Sequence, residues 1–222
     1  VIVPDKFMQL AMEDEVCYTF NPHTVFLEYG QYLDEMDMNE MYEKLVDNPN
    51  VKKKKINARE LLVKISQTQK ESGYPYLFFK DNANKEHALK EIGTVKFSNL
   101  CTEIMQLSEV SDINAYYEED TIRRGISCNL GSLNIATVME NKRIKEATKA
   151  AIDSLTMVSD LTNIDVVPTI KKANEELHSI GLGAMNLHGF LAKNFIMYES
   201  KEALDFCNVF FMMVNFYSLE RS

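Results

Sequence analysis

Two long segments with helical periodicity, near the end of the chain, restrict the folds it can adopt. Residues 142–163 place apolar side chains every three or four positions, which predicts an amphipathic helix. Residues 201–220 are apolar almost all round, so the helix predicted there is expected to be buried. Short apolar runs at residues 16–20 and 74–79 are typical of buried strands. Short buried strands among helices predict an α/β or barrel-like core.

Signals at helix ends support the other predicted helices. Asn57 can cap a helix over residues 58–72, and Gly73 would end that helix. Further helices are predicted at residues 5–14, 22–30, 37–47, 168–177 and, after a turn, within 180–191. Loops are predicted at residues 81–85 and 108–124, and strands at residues 104–107 and 126–130.

Composition narrows the classes of function. The chain has 222 residues and a net charge of −9, and a broadly acidic surface argues against a nucleic-acid partner, which needs cations to neutralise phosphates. The one basic run, residues 52–55, is interpreted as a solvated face before a helix. No apolar run reaches 18 residues and no secretory leader opens the chain, so neither a membrane span nor secretion is expected.

The cysteine pattern indicates a reduced chain in the cytoplasm, because no C-x-x-C pair and no zinc-type spacing occurs. The chain begins with Val1 rather than Met and stops inside a predicted helix, so we expect both ends to be cuts through a larger protein. Cys17 and Cys207 are interpreted as core residues. The four cysteines are Cys17, Cys101, Cys128 and Cys207.

The first candidate site lies at residues 98–104, SNLCTEI. If the segment is extended, Asn99, Cys101 and Glu103 share one face, because alternate residues of a strand point the same way. An amide can bind hydroxyls, a thiol can do redox or nucleophilic work, and a carboxylate can accept a proton. The alternative is a half-exposed strand with an incidental buried cysteine, which spacing alone favours.

The second candidate is Cys128, at a predicted strand end before a helix-like segment. A thiol at a helix N-terminus tends to have a lowered pKa, whereas the alternative is a small core residue. Gly181-Leu182-Gly183 lacks the third glycine of a dinucleotide fingerprint and is interpreted as packing and turn glycines. His87 is interpreted as isolated in polar surroundings.

Several of these segments resemble the large subunit of class I ribonucleotide reductases. SNLCTEI (98–104) is similar to the catalytic finger loop of that family, and ISCNLGSLNIA (126–136) is similar to the class Ib strand that carries a redox-active cysteine. SGYPYLFF (72–79), KINAREL (55–61) and IGLGAMNLHGFLA (180–192) also resemble this subfamily.

The resemblance implies a helix-rich α/β fold that forms part of a ten-stranded barrel with a central finger loop. Within the barrel domain, residues 1–73 would be a mainly helical lead-in, and residues 74–136 would supply strands, the finger loop and the active-site motifs. Residues 142–222 would be helical. The family's effector sites would lie outside this segment.

The resemblance also implies a role for each site residue. Cys101 would become a thiyl radical that abstracts the 3′ hydrogen of a ribonucleoside diphosphate. Glu103 would take the 3′-hydroxyl proton, and Asn99 would hold the sugar hydroxyls. Cys128 would be half of the reducing dithiol, while Leu100 and Thr102 would line the substrate.

The implied partners follow from the same resemblance. This chain would bind no cofactor directly and hold no metal, because a small (beta) subunit with a dimanganese or diiron centre would supply the radical. A thioredoxin- or glutaredoxin-like protein would restore the dithiol, and the full protein would be a homodimer. The rival hypotheses are a non-catalytic α/β module with core cysteines and another radical enzyme with a related barrel, such as a glycyl-radical type.

Overall fold

The computed structural model describes all 222 residues, which divide into two compact units, Val1–Ser108 and Glu109–Ser222. In the first unit, regular structure alternates between very short strands and helices. Its elements are β1 (Ile2–Val3), α1 (Asp5–Met12), β2 (Val16–Phe20), α2 (Pro22–Tyr29), a 3-10 turn (Leu33–Glu35), α3 (Met38–Asp47), β3 (Lys53–Asn57), α4 (Ala58–Ser72), β4 (Phe78–Phe79) and α5 (Lys80–Glu86).

The predicted helix over 58–72 is confirmed, together with the residues that begin and end it. Asn57 ends β3 and caps α4, because its side-chain oxygen accepts the N–H of Glu60 at 2.8 Å. Gly73 follows α4 with φ of 79°, the left-handed conformation that glycine adopts at low cost. The strand β3 pairs antiparallel with β2, so α4 starts directly from the edge of a sheet.

The core of the first unit joins α1, α3 and α4 to the β2–β3 pair. Leu10, Ala11, Cys17 and Ala58 form one buried cluster with Tyr42, which is only 6% exposed. The Tyr42 hydroxyl accepts the backbone N–H of Tyr18 at 2.9 Å, which satisfies a donor on β2. Burial raises the pKa of Tyr42 to about 12, and it also raises the pKa of the neighbouring Cys17 thiol.

The basic run at 52–55 differs in part from the solvated face predicted for it. Lys54 and Lys55 are exposed, but Lys53 is half-buried within β3. Its ammonium donates to the carbonyl of Asn48 at 2.7 Å and to those of Leu45 and Val46, where α3 ends. A cation there complements the helix dipole and the unpaired carbonyls.

The run at 74–79 forms less strand than predicted, and the following loop prediction is wrong. Only β4 is extended in a sheet, where it pairs parallel with β1, and residues 80–86 form α5 instead of a loop. A seven-residue helix has little stability alone. Here Asp81 accepts the N–H of Asp5 at 2.7 Å, and Lys80 donates to the carbonyl of Asp34. These tertiary bonds are not visible in the local sequence.

The second unit pairs one small parallel sheet with five helices. The register of the sheet runs from Leu130 opposite Gly181 to Asn134 opposite Met185. The elements are β5 (Leu130–Asn134), α6 (Ile135–Glu140), α7 (Ile144–Leu161), α8 (Pro168–Leu177), β6 (Gly181–Met185), α9 (Leu187–Lys193) and α10 (Lys201–Arg221).

The glycines at 181 and 183 lie in β6, so the turn predicted for them is wrong. Their packing role is confirmed, because a Cβ on Gly181 would meet the Leu130 side chain at 2.5 Å. At Gly183 a Cβ would meet the Ser132 hydroxyl oxygen at 3.3 Å. The absence of side chains lets β5 and β6 approach at these pairs.

The helices predicted at 142–163 and 201–220 are present, but α10 is not buried all round. Phe210 is 1% exposed in a cluster with Leu133, Ile135 and Val138, whereas Met212 and Leu219 are exposed. The helix packs along α7, which covers only one side of it. The predicted burial of this helix on all sides is therefore wrong for this chain. The apolar pattern in the sequence shows which faces of a helix are apolar, but not which other elements pack against those faces.

The sheets are three separate two-stranded pairs, β1–β4, β2–β3 and β5–β6. The chain is therefore a helix-rich α/β structure, and no closed barrel forms among its strands. None of its ten α-helices combines the length and the apolar character that crossing a bilayer requires.

Candidate active site

Cys101 lies in a turn and not in the extended strand that the same-face argument assumed. We call residues 95–105 the Cys101 loop. The N–H of Thr102 donates to the carbonyl of Asn99 at 3.1 Å, and Thr102 has φ of 64°. Residues 104–107 likewise form no strand. The extended geometry is therefore wrong, because local hydrogen bonds within the loop replace the sheet partners that a strand would need.

Asn99 organises this turn. Its side-chain oxygen accepts the N–H of Ile104 at 3.1 Å and that of Glu103 at 3.2 Å. Its amide nitrogen donates to the Glu103 carboxylate at 2.8 Å. The amide and the carboxylate thus meet across the turn that carries Cys101, although the extended alternation that was expected to align them is absent.

The base of the turn is closed by Ser98 and anchored by a buried side chain. The Ser98 hydroxyl donates to the carbonyl of Ile104 at 2.7 Å. Ile104 is buried, whereas Leu100 is 88% exposed and Cys101 is exposed too. The apolar side chain holds the loop on the core and leaves the thiol accessible.

Two further residues hold the limbs of the Cys101 loop, and sequence reasoning missed both. Asn84 of α5 accepts the N–H of Val95 at 2.7 Å and donates to its carbonyl at 2.9 Å. The Nε2 of His87 lies 2.9 Å from the carbonyl oxygen of Met105. The interpretation of His87 as isolated is wrong. No sequence signal could have found these contacts, because each partner is a backbone group.

Two tyrosines lie within electrostatic range of the candidate site. The rings of Tyr74 and Tyr76 are 5.1 Å apart between centroids. The pKa of Tyr76 is raised, chiefly by the charge and the hydrogen bond of Tyr74, with smaller contributions from burial and from the charges of Cys101 and Glu103. Both rings are exposed.

Cys128 belongs to the second unit and is exposed. It lies before β5, and α6 begins only at Ile135, so the predicted position at a helix N-terminus is wrong. The next residue, Asn129, fixes the local backbone: its side chain donates to the Leu155 carbonyl at 2.7 Å, and its carbonyl accepts the N–H of Gly181 at 2.8 Å. The predicted strand at 126–130 thus starts later, at Leu130.

The two other cysteines are less accessible. Cys17 is buried and Cys207 is half-buried, and no disulfide joins any of the four thiols. Burial raises the pKa of the Cys17 thiol, which disfavours the reactive thiolate form. No group of three or more His, Cys, Asp or Glu side chains lies close enough together to hold a metal ion.

The arrangement at the Cys101 loop joins three kinds of chemistry in five residues. An accessible thiol lies on a turn whose amide and carboxylate are hydrogen-bonded to each other. The carboxylate can accept a proton, the amide can orient hydroxyls, and the thiol can be oxidised. These groups offer redox, hydrogen-bonding and acid–base chemistry at one turn.

Comparison with known proteins assigns the family. Residues 1–222 match the family model of the ribonucleotide reductase barrel domain, and the chain belongs to that family. The ribonucleoside-diphosphate reductase subunit alpha of Bacillus subtilis is 61% identical over the whole chain, which covers 32% of that protein. The subunit of the same name from Mycoplasma genitalium is 43% identical over the whole chain, which covers 31% of it.

A solved structure agrees with this assignment. The class Id ribonucleotide reductase alpha subunit of Actinobacillus ureae superposes with a TM-score of 0.59 and 26% identity. The match covers 82% of this chain and 33% of that one. The chain thus spans about a third of the length of the relatives it matches.

Proposed function

We propose that this chain is part of the catalytic (alpha) subunit of a class I, class Ib-like ribonucleoside-diphosphate reductase. The subunit would convert ribonucleoside diphosphates to 2′-deoxyribonucleoside diphosphates for DNA synthesis. One observation carries the proposal: Asn99 and Glu103 are joined by a 2.8 Å hydrogen bond across the turn that exposes Cys101. The family match over all 222 residues supports it.

Cys101 starts and ends the cycle in this proposal. Oxidised to a thiyl radical, its sulfur abstracts the 3′ hydrogen of the ribose, and it returns that hydrogen at the end. The exposed turn suits this step, because the sulfur must come within contact distance of a sugar carbon. Leu100 and Thr102, on either side, line the substrate.

Glu103 and Asn99 handle the hydroxyl groups. Glu103 takes the proton of the 3′-hydroxyl, and the 2′-hydroxyl then leaves as water. Asn99 orients the sugar through its amide, a group that already bonds Glu103 in the free protein. The existing bond supports the assignment, because it keeps base and amide at one place before substrate binds.

The overall reaction balances with a dithiol as reductant. Two thiols lose their hydrogens and form a disulfide, while the substrate loses its 2′-hydroxyl as water and gains a hydrogen at that carbon. In this proposal Cys128 supplies one thiol, and a cysteine outside residues 1–222 supplies the second. A thioredoxin- or glutaredoxin-like protein then restores the dithiol by thiol–disulfide exchange.

Partners and setting complete the proposal. The name "subunit alpha" of the relatives supports a small (beta) subunit, whose manganese or iron centre would supply the radical. We propose that the strand pairs described above join further strands of the full protein in a ten-stranded barrel, that the full protein is a homodimer, and that effectors bind outside this segment. We propose the reducing cytoplasm as the setting, because no disulfide joins the four cysteines.

Three Cys→Ser variants of the complete protein, assayed with small subunit and reductant, test the proposal. Cys101→Ser should stay folded and give no deoxynucleotide. Cys128→Ser should also stay folded without sustaining turnover, because each reduction consumes both thiols of the dithiol. Cys207→Ser, the matched control, should keep turnover within about twofold, because Cys207 has no role in the proposed reaction. Appreciable multiple turnover by Cys101→Ser would refute the thiyl role and favour a non-catalytic module.

The 222-residue piece alone is expected to show no turnover, since the second reducing thiol lies outside it in this proposal. Incubation of the piece with small subunit and reductant, followed by chromatography of the nucleotides, measures this. Any reproducible deoxynucleotide product would contradict the expectation.

A further inference from the structure

We propose that Asn84 and His87 are positioning residues that hold the two limbs of the Cys101 loop and so set where the thiol meets its substrate. The inference rests on the proposed function. Hydrogen bonds inside residues 98–104 determine the shape of the turn, but they cannot place it relative to the rest of the first unit. Placement requires contacts between the loop and a fixed element.

Asn84 supplies the first contact, on the limb that enters the turn. Its amide binds both the N–H and the carbonyl of Val95, at 2.7 and 2.9 Å, much as a neighbouring strand would. The second hydrogen of the amide nitrogen goes to the Lys80 carbonyl at 2.9 Å. Both donors and the acceptor of Asn84 are therefore used, which leaves its side chain one orientation.

His87 supplies the second contact, on the limb that leaves the turn. The N–H of Leu89 donates to its Nδ1 at 3.1 Å, so the ring hydrogen lies on Nε2 and donates to the Met105 carbonyl at 2.9 Å. Asn84 and His87 are three residues apart, at the end of α5, so one short element holds both limbs.

The helix α5 is itself fixed at its first turn. Asp81 accepts the N–H of Asp5, the first residue of α1, at 2.7 Å and the side-chain amide of Asn39 at 3.2 Å. Lys80 donates to the Asp34 carbonyl. A continuous set of hydrogen bonds therefore links α1 to the Cys101 loop through α5. This framework adds to the anchoring that the buried Ile104 side chain gives the loop.

The test uses variants of Asn84 and His87 in the complete protein with its small subunit. Each variant removes a side-chain donor that binds the Cys101 loop. Asn84→Asp keeps the size of the side chain but replaces the nitrogen that donates to the Lys80 and Val95 carbonyls by an oxygen. The matched control is Asn82→Asp, because Asn82 is exposed on the same helix. His87→Ala removes the second contact, and His87→Gln restores a donor near the Nε2 position. Measurements are kcat and KM per folded enzyme, and hydrogen exchange of peptides covering residues 95–105.

We expect Asn84→Asp and His87→Ala to lower kcat ~10- to 100-fold, since small misplacement of a reacting group costs about that much. KM should change less than about threefold, since the substrate's binding groups elsewhere are untouched. Exchange should rise in residues 95–105 and, in His87→Ala, also at the Leu89 N–H, which loses its acceptor. Asn82→Asp should match the wild type, and His87→Gln should recover most of kcat. A merely structural role would lower the folded fraction but not kcat per folded enzyme.

Values of kcat within twofold of wild type for both Asn84→Asp and His87→Ala would overturn the inference. So would unchanged exchange in residues 95–105. If Asn84→Asp does not fold, the comparison of His87→Ala with His87→Gln tests the inference. Absence of nucleotide reduction by the wild-type complete protein would instead refute the proposed function, and the exchange data would still report whether Asn84 and His87 hold the loop.

Discussion

Replacing Asn99 by alanine and by aspartate separates the two tasks of its side chain. The oxygen accepts the N–H groups of Glu103 and Ile104, and the nitrogen donates to the Glu103 carboxylate. Alanine removes both functions. Aspartate keeps an acceptor for the two backbone N–H groups but puts a second negative charge beside Glu103. The first function shapes the turn, and the second holds the proposed base.

The expected magnitude follows from the bonds. Asn99→Ala loses two backbone hydrogen bonds, each worth a net ~1 kcal/mol, so the free energy of opening the turn should fall by ~2 kcal/mol. That decrease corresponds to ~30-fold faster amide exchange at Glu103 and Ile104. Asn99→Asp should exchange within about threefold of wild type, because both backbone bonds remain. Both variants should lose nucleotide reduction, because neither has an amide to orient the sugar.

Hydrogen exchange with mass spectrometry on peptides that span residues 98–104 of the complete protein measures this difference. Asn82→Ala, an exposed change on α5, is the control and should leave these amides unchanged. Exchange in Asn99→Ala within twofold of wild type would refute the role of Asn99 in shaping the turn. Equal acceleration in Asn99→Ala and Asn99→Asp would refute the division between acceptor and donor.

Two further predictions concern buried polar groups of the first unit. Tyr42→Phe leaves the Tyr18 N–H unpaired and should lower the free energy of unfolding by ~1–3 kcal/mol at pH 8. Because the folded-state pKa of Tyr42, about 12, lies above its ordinary 10.0, its contribution is complete below pH 10 and lost as pH rises through 12. Denaturant titrations of wild type and Tyr42→Phe should therefore converge across that window, and parallel curves would contradict the assignment. Lys53→Met keeps the aliphatic stem but loses the bonds to the end of α3, so it should cost ~1–3 kcal/mol. The exposed control Lys54→Met should stay within about 0.5 kcal/mol, and equal urea midpoints for both variants would show that the Lys53 ammonium contributes nothing.

Local signals predicted the parts of the fold in which neighbouring residues satisfy each other. Asn57 and Gly73 bracket α4 as predicted, since a cap and a left-handed terminus depend on a few adjacent residues. The same reasoning failed for α5 and for the face of α10. The helix α5 is held by bonds to α1 and to Asp34, and the exposure of α10 depends on which elements pack against it.

The sequence by itself determined which chemistry the Cys101 loop offers, because the thiol, amide and carboxylate lie within five residues. Only the tertiary structure decided how they are presented. Asn99 and Glu103 meet because the backbone turns at Thr102. The anchors at Asn84 and His87 bind backbone groups 11 and 18 residues away. Every residue type except proline offers both an N–H and a carbonyl, so no pattern in the sequence marks these groups.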